Sequence, residues 1–381
     1  MKDELANLRP LPSRSVAQPA TVLLGLGTAV PRYRIAQDEA ASFMKRAHLD
    51  DATHEQRSPQ QQRFLERRID YLYRRSGIES RYTCCPEFAD GAAVSAAHMT
   101  MAERMQRYER EVVPLSTQAC QRALEQAGLA PTEITHVVFV TCTGFVAPGP
   151  DQQVARQLGL RPDVRRLQIG FMGCQAALHG LQVADAFCRS DPAARVLLVC
   201  AELCSLHFRN SAADEDLVAN CLFADGAAAA ILVADSVPAH LGDGALRIGG
   251  FESCVLPDSA DLLTWRIGNR TFSMGLDPAT PQALSKSLPA FTARLLATDH
   301  GSQWIVHPGG PAILDAAQEA LQLPGEALAS SRQVLREFGN MSSLTVLFVL
   351  QRAMQDTTTG QIGVAMSFGP GLSIEGMRFK R

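Results

Sequence analysis

Three stretches of this chain are continuous runs of mainly apolar residues with no polar alternation: HVVFVTCTG from His136, RVLLVCAEL from Arg195 and AAAAILVAD from Ala227. A strand wetted on one face alternates apolar and polar residues, so unbroken runs of this length predict strands covered on both faces. ATVLLGLGTAVP, from Ala20, reads as a further strand closed by a Gly-Pro turn. Its Gly25 and Gly27 do not complete a GxGxxG, so a dinucleotide fingerprint is unsupported. Elsewhere the period becomes helical. Leu115, Ala119, Cys120, Ala123, Leu124 and Ala127 fall on one stripe, which Gly128 and Pro131 terminate. From Pro59 to Tyr82 the pattern is also helical and carries Arg63, Arg67, Arg68, Arg74, Arg75 and Arg81 among Glu66, Asp70 and Glu79. That segment reads as a solvated helix face, or as a rim that meets the phosphates of an anionic cofactor. Strands alternating with helices predict an α/β fold.

The pattern repeats. A displacement of 166 positions carries Thr141, at the end of FVT, onto His307, at the end of IVH. The same displacement carries Cys174 onto Asn340 and Cys200 onto Met366, setting RVLLVC beside QIGVAM. Strand, helix start and next strand therefore recur on one offset. Duplicated βαβ-type halves would pack about a pseudo-twofold axis, with corresponding helix starts facing each other. We divide the chain accordingly into a flexible lead (residues 1–18), a first half (19–236) and a second half (237–381).

Composition narrows the function classes. The chain has 381 residues, of which 46% are hydrophobic and 20% charged, as in an ordinary globular protein. A net charge of −3 gives no global attraction to nucleic acid or an anionic membrane. No apolar run has the length of a bilayer span, and MKDELANLRPLPSRSVAQPA lacks the apolar core of a signal peptide. These features point to the cytoplasm. Most of the ten cysteines, among them Cys142, Cys188, Cys200, Cys204 and Cys221, sit in apolar runs as small hydrophobes. There is no CxxC pair, and Cys84–Cys85 suits neither a bridge nor a zinc site. Reduced thiols and no structural metal are expected.

Cys174 differs from the other cysteines. It follows Gly173 at the junction of RLQIGFMG with a helix-like segment. Helix N–H groups and the positive dipole end there are expected to favour thiolate. His307, in WIVHPGGPAIL, ends a strand and precedes the turn Pro308-Gly309-Gly310; an imidazole there could take a thiol proton. Asn340, in REFGNMSSL, reads as a helix N-cap or as a hydrogen-bond donor completing an oxyanion hole with His307. Phe223, at the turn into AAAAILVAD, reads by pattern as a core residue. Together Cys174, His307 and Asn340 predict acyl chemistry on sulfur.

The segments CTGFVAPGPD, GFMGCQAALHGL, VLLVCAELCSLHFR, LFADGAAAAILV, HPGGPAILD, GNMSSLTVLF and SFGPGLSIEG resemble type III polyketide synthases, the chalcone-synthase-like branch of the thiolase superfamily. The resemblance runs from about Thr21 to Gly376, with HPGGPAILD, GNMSS and FGPG its most specific parts. It implies a thiolase-like αβαβα layered fold and a homodimer. It also implies iterative decarboxylative condensation of malonyl-CoA onto an acyl-CoA starter, with CoA thioesters as substrates rather than cofactors. By this resemblance Cys174 takes the starter, while His307 and Asn340 hold the malonyl thioester carbonyl. Phe223 and Phe272 match the two gatekeeping phenylalanines, and Arg75 with the Gly309–Gly310 turn is assigned to the CoA. Glu79 stands where a basic residue is usual.

Cys142, Ala147, Cys204, His207 and Leu263 depart from the chalcone-forming cavity pattern, and Thr143 and Ser342 are candidate water-binding hydroxyls. The small Ala147 and Cys204 imply a side tunnel for a medium- or long-chain acyl starter, cyclised to a pyrone or resorcinol. A malonyl-primed naphthalene- or phloroglucinol-type synthase is the alternative within the family. Ketoacyl-carrier-protein synthase III shares Cys, His and Asn but requires a carrier protein. A papain-like cysteine hydrolase shares the residue order but not the duplication, and a non-catalytic CoA or lipid carrier needs no nucleophile.

Overall fold

The apolar runs become three adjacent strands of one mixed sheet. The computed structural model describes residues 20–50, 57–90, 98–236, 245–356 and 360–381; the expected lead lies outside them, as does the point chosen to divide the halves. In chain order the strands are β1 (Thr21–Ala29), β2 (Tyr33–Ala36), β3 (Ser80–Thr83), β4 (His136–Thr141), β5 (Arg165–Gly170), β6 (Arg195–Leu203) and β7 (Asp225–Ala234). They continue as β8 (Leu246–Val255), β9 (Leu263–Ile267), β10 (Phe272–Leu276), β11 (Gln303–Val306), β12 (Ile362–Gly369) and β13 (Ser373–Lys380). Nine of them form a sheet in the order β11-β12-β13-β8-β1-β7-β6-β4-β5; β2–β3 and β9–β10 are separate two-stranded ribbons. Strands β4 and β7 are buried along their whole length, and β6 everywhere but its first residue, as continuous apolarity predicts.

The duplication is visible in the pairing. In the first half β4 runs parallel to β6, β6 antiparallel to β7, and β7 antiparallel to β1. In the second half β11 runs parallel to β12, β12 antiparallel to β13, and β13 antiparallel to β8. Even the register repeats: Val137 faces Leu197 and Gln303 faces Gly363, each displaced by 166 positions. The halves join where Thr21–Leu23 of β1 pairs with Leu246–Ile248 of β8. Among the described residues the second half has no counterpart of β5, whose residues are mostly exposed at the sheet edge.

Helices complete five layers. Ala176–Ser190 packs against β4, β6 and β7 of one half and against β12 and β13 of the other; Thr345–Asp356 likewise touches β1, β11 and β12. These two helices are the middle layer. Met101–Ala127 covers β1, β6 and β7 from outside, and Thr280–Leu296 covers β8 and β13. The result is the thiolase-like αβαβα arrangement. The expected helix Leu115–Ala127 begins earlier, at Met101, where Thr100 and Glu103 form a reciprocal cap.

Gly25 and Gly27 have a packing role. A Cβ on Gly25 would stand 2.3 Å from the carbonyl oxygen of Ala123, and one on Gly27 2.2 Å from that of Ala119. Their absence lets the outer helix lie directly on β1. Gly27→Ala should therefore lower stability by about 1–3 kcal/mol through overpacking; urea denaturation followed by circular dichroism checks this. An unchanged midpoint would contradict the close packing.

The segment Pro59–Tyr82 is not one helix. The helix ends at Arg75, capped by Ser76, and Gly77 takes a positive φ of 72° that turns the chain into β3. Of its arginines, Arg63, Arg67, Arg74 and Arg75 are exposed, whereas Arg81 lies buried on β3. The helical period continued past Ile78 by coincidence, and the Ser-Gly stop outweighs it.

Candidate active site

Cys174 is placed by a tight turn between β5 and the middle layer. Phe171 and Gly173 take positive φ angles of 58° and 70°, and Gly173–Gln175 forms a single 3₁₀ turn before the helix Ala176–Ser190. A side chain at Gly173 would meet Pro370 Cδ at 2.3 Å, so both backbone angle and space require glycine. The Gly173 N–H donates to Cys142 Sγ at 3.2 Å, and the Cys174 thiol donates to Ser342 Oγ at 3.7 Å. Burial pushes the thiol up to about 12; the Ser342 hydroxyl and Asn340 carboxamide pull it down, and the Glu202 carboxyl pushes it further up. The expected thiolate from the helix end alone is thus not realised. A helix terminus supplies roughly 0.3–1 kcal/mol, up to ~2 when partly buried, less than the desolvation of this thiol.

Asn340 and Phe223 form one backbone unit. Asn340 N–H donates to the Leu222 carbonyl and Ala224 N–H to the Asn340 carbonyl, both at 2.9 Å, bracketing Phe223. The Ser342 N–H donates to Asn340 Oδ1 at 2.9 Å, which fixes the amide with its NH2 group free to donate, at present to the Gly309 carbonyl at 3.2 Å. His307 directly follows β11, its N–H held by the Met366 carbonyl at 2.8 Å. A Cβ on Gly309 would stand 3.9 Å from His307 Nε2, so Gly309 adjoins both the imidazole and the Asn340 amide. Both His307 ring nitrogens are buried without a hydrogen-bond partner. Burial drives this imidazole down to about 3, so in isolation it is neutral. An unmet donor and acceptor in an apolar setting is costly, and a substrate carbonyl or a thiol proton would relieve it.

A cavity opens onto these groups. The space within it is about 960 Å³, open solvent included. Cys174, Phe223, Phe272, Cys142, Thr143, Cys204, His207, Leu263 and Ser342 all line it, so nine of the residues picked out in the sequence converge there. Asn340 adjoins it through its hydrogen bond to Cys174, while His307 lies behind Asn340 and Gly309, outside the lining. Gly310 is buried at the start of the helix Pro311–Ala320, against Leu222, rather than on the cavity wall. Arg75 and Ala147 are exposed and outside the lining. The side tunnel expected at Ala147 is thus not part of this cavity.

Three contributors escaped the sequence reading. Glu202, fully buried, accepts from Cys142 N–H (2.8 Å), Thr143 Oγ1 (2.8 Å) and Ser343 Oγ (2.6 Å), and burial raises its carboxyl to about 7. A charge inside the apolar run RVLLVCAEL was the available signal. Arg81 donates to the carbonyls of Asn220 (2.6 Å) and Phe223 (2.8 Å), closing the C-terminal end of the helix Asp214–Leu222 beside Phe223. Trp265 donates its indole N–H to the Cys142 carbonyl at 2.8 Å; no local pattern marked it. Among the described residues no group of three or more His, Cys, Asp or Glu side chains could hold a metal ion, and no helix is long and apolar enough to cross a membrane.

Residues 11–236 match the family model for the N-terminal domain of chalcone and stilbene synthases, and residues 251–381 match that for the C-terminal domain. The chain belongs to the chalcone and stilbene synthase family. It is 32% identical over 385 residues to the alpha-pyrone synthesis polyketide synthase-like Pks18 of Mycobacterium tuberculosis, covering 98% of this chain and 94% of that one. Type III polyketide synthase 10 of rice is 32% identical over 380 residues, covering 93% and 91%. Among solved structures, PKS-I from the brown alga Ectocarpus siliculosus superposes with a TM-score of 0.87 at 30% identity, covering 97% of this chain and all of that one. This type III polyketide synthase is accordingly an enzyme, an acyltransferase forming carbon–carbon bonds by Claisen-type condensation, in a family that uses acyl-CoA and malonyl-CoA.

Proposed function

We propose that this synthase loads a medium- or long-chain acyl group from CoA onto Cys174, extends it with malonyl-CoA and releases a pyrone or resorcinol-type product. The observation that carries this is a buried thiol opening onto a largely apolar cavity, with the fixed Asn340 amide hydrogen-bonded to it and the unpartnered His307 imidazole next to Gly309, whose carbonyl accepts from that amide. Ile35, Phe88, Phe208, Leu263 and Met274 contribute apolar wall, and alkyl burial there gains about 0.8 kcal/mol per methylene.

In the loading step the Cys174 proton passes to His307, sulfur bonds to the acyl carbon, and CoA thiolate leaves with that proton. Burial disfavours a lone charge on either Cys174 or His307, but proton transfer creates both charges together and their attraction offsets part of the cost. Malonyl-CoA then places its thioester oxygen at the Asn340 NH2 and the His307 ring. The bond to its carboxylate breaks, CO2 departs, and the electron pair becomes an enolate held by these donors. The enolate carbon attacks the acyl carbonyl and Cys174 leaves as thiolate. The Phe223 ring gives the departing carboxylate an apolar neighbour. Thioester activation and CO2 loss supply the driving force, so no resident cofactor or metal is required.

We assign one half-site to each half of the chain, with Cys174 from residues 19–236 and His307 and Asn340 from residues 237–381. We also assign a homodimer formed through the exposed edge strand β5 and its neighbours Phe145 and Met172, which are 49% and 37% exposed. Ten cysteines without a disulfide fit a reducing cytoplasm.

Incubating the enzyme with malonyl-CoA and a ladder of acyl-CoA starters, with products read by mass, tests the reading. Products carrying the added acyl chain are expected; products built from malonyl units alone would overturn the starter assignment. With Ala147 outside the cavity, the chain-length test falls on Cys204, which lines it. Cys204→Phe should shorten the longest starter accepted, and an unchanged profile would contradict alkyl placement along that wall.

A further inference from the structure

The ribbon β9–β10 is not part of the central sheet, yet it forms a wall of the cavity. Leu263 and Trp265 on one strand, and Phe272 and Met274 on the other, line the cavity, as alternation in a strand places them. A two-stranded ribbon is marginal by itself, so its position depends on what holds it. His207 and Cys142 do so.

His207 is buried, and its hydrogen bonds fix its tautomer. A carbonyl can only accept, so Nε2–H donates to Thr143 O at 2.7 Å; a backbone N–H can only donate, so Nδ1 accepts from Phe272 N–H at 3.2 Å. The imidazole stacks on the Phe272 ring, with centroids 4.0 Å apart and planes at 11°, and meets Trp265 edge-on at 5.5 Å and 88°. Trp265 also meets Phe272 edge-on, at 5.7 Å. Its indole N–H donates to the Cys142 carbonyl at 2.8 Å. Cys142 is the residue whose Sγ accepts the Gly173 N–H next to Cys174. Wall and nucleophile turn therefore share one residue.

We propose that Trp265 is a specificity-determining residue: latched by Cys142 and boxed by His207 and Phe272, its indole closes the ribbon side of the cavity and limits the acyl chain there. The inference rests on Cys174 carrying that chain, as argued above. Aromatic side chains held in edge-on and stacked contacts have few alternative rotamers, so this wall does not yield to a longer substrate. The chain must then lie along the rest of the lining, which includes Ile35, Phe88, Cys204 and Phe208. Trp265→Ala removes the closure, while Trp265→Phe keeps a ring and loses only the latch.

The experiment measures kcat/KM for starters from acetyl-CoA to palmitoyl-CoA with wild type, Trp265→Ala and Trp265→Phe, and counts extensions by product mass. Trp265→Ala should raise the preference for longer or more extended chains by about tenfold relative to wild type, the scale on which pockets discriminate single methylenes. Trp265→Phe should stay close to the wild-type profile. Unchanged ratios in Trp265→Ala, with Cys174 still acylated and products still formed, would overturn the wall assignment while leaving the synthase reading intact. Absence of products from wild type with every starter would overturn the synthase reading and this inference with it. Should Trp265→Ala fail to fold, Trp265→Leu opens the same side with less loss of volume and is held to the same outcome.

Discussion

Cys174→Ala should eliminate polyketide formation from every acyl-CoA while leaving malonyl-CoA decarboxylation measurable. The two activities separate because the thiol is needed only to carry the starter, whereas the enolate donors are Asn340 and His307. The other cavity cysteines are poor substitutes for this nucleophile: burial pushes Cys142 and Cys204 well above the ordinary thiol range, and neither has the Ser342 and Asn340 hydrogen bonds that pull Cys174 down. Removing a member of such a unit typically costs several orders of magnitude. The measurement is product mass alongside release of CO2 from labelled malonyl-CoA. Persistent product formation in the variant would move the nucleophile elsewhere.

His307→Ala and Asn340→Ala should show the reverse dependence on step. Each removes one donor aimed at the developing enolate oxygen, so decarboxylation should fall by about 10²–10³. The variants then diverge with pH. In His307→Ala the thiol has no proton acceptor, so nothing offsets the burial that already pushes it up to about 12 in the wild-type chain. Below that value the thiolate fraction rises tenfold per pH unit, so alkylation of Cys174 by iodoacetamide should be slow at pH 7 and climb without plateau to pH 10. In wild type, proton transfer to His307 should give substantial alkylation near neutrality, with a plateau. Asn340→Ala keeps His307 and should follow the wild-type profile. Identical profiles in wild type and His307→Ala would show that the imidazole does not take the thiol proton.

Local chemistry was readable from the chain wherever one segment carries it. Cys174 stood out because strand, glycine and helix start are contiguous, and the 166-position offset reappears in the structure as an identical register in β4–β6 and β11–β12. The continuous apolar runs became buried strands for the same reason. Contacts between distant segments were not readable. His207 and Phe272 stack across 65 positions, and Trp265 reaches Cys142 across 123, so neither pairing leaves a local signature. Arg81 kept the helical period of the segment before it, and only the turn at Gly77 shows that it belongs to a strand. Glu202 was legible in principle, as a charge in a buried run, but its partners lie on two other segments. The thiolate expected at Cys174 rested on the helix end alone, and the depth at which the fold sets the sulfur outweighs that dipole.

The central claim is that the growing chain is carried on Cys174, and intact-protein mass spectrometry with peptide mapping tests it most directly. After incubation with one acyl-CoA and no malonyl-CoA, the account predicts a single mass increment equal to that acyl group, replacing one hydrogen, on the peptide that contains Cys174. Its absence from Cys174→Ala and its loss on adding malonyl-CoA complete the result. An acyl group on any other residue, or one retained by Cys174→Ala, would contradict the account.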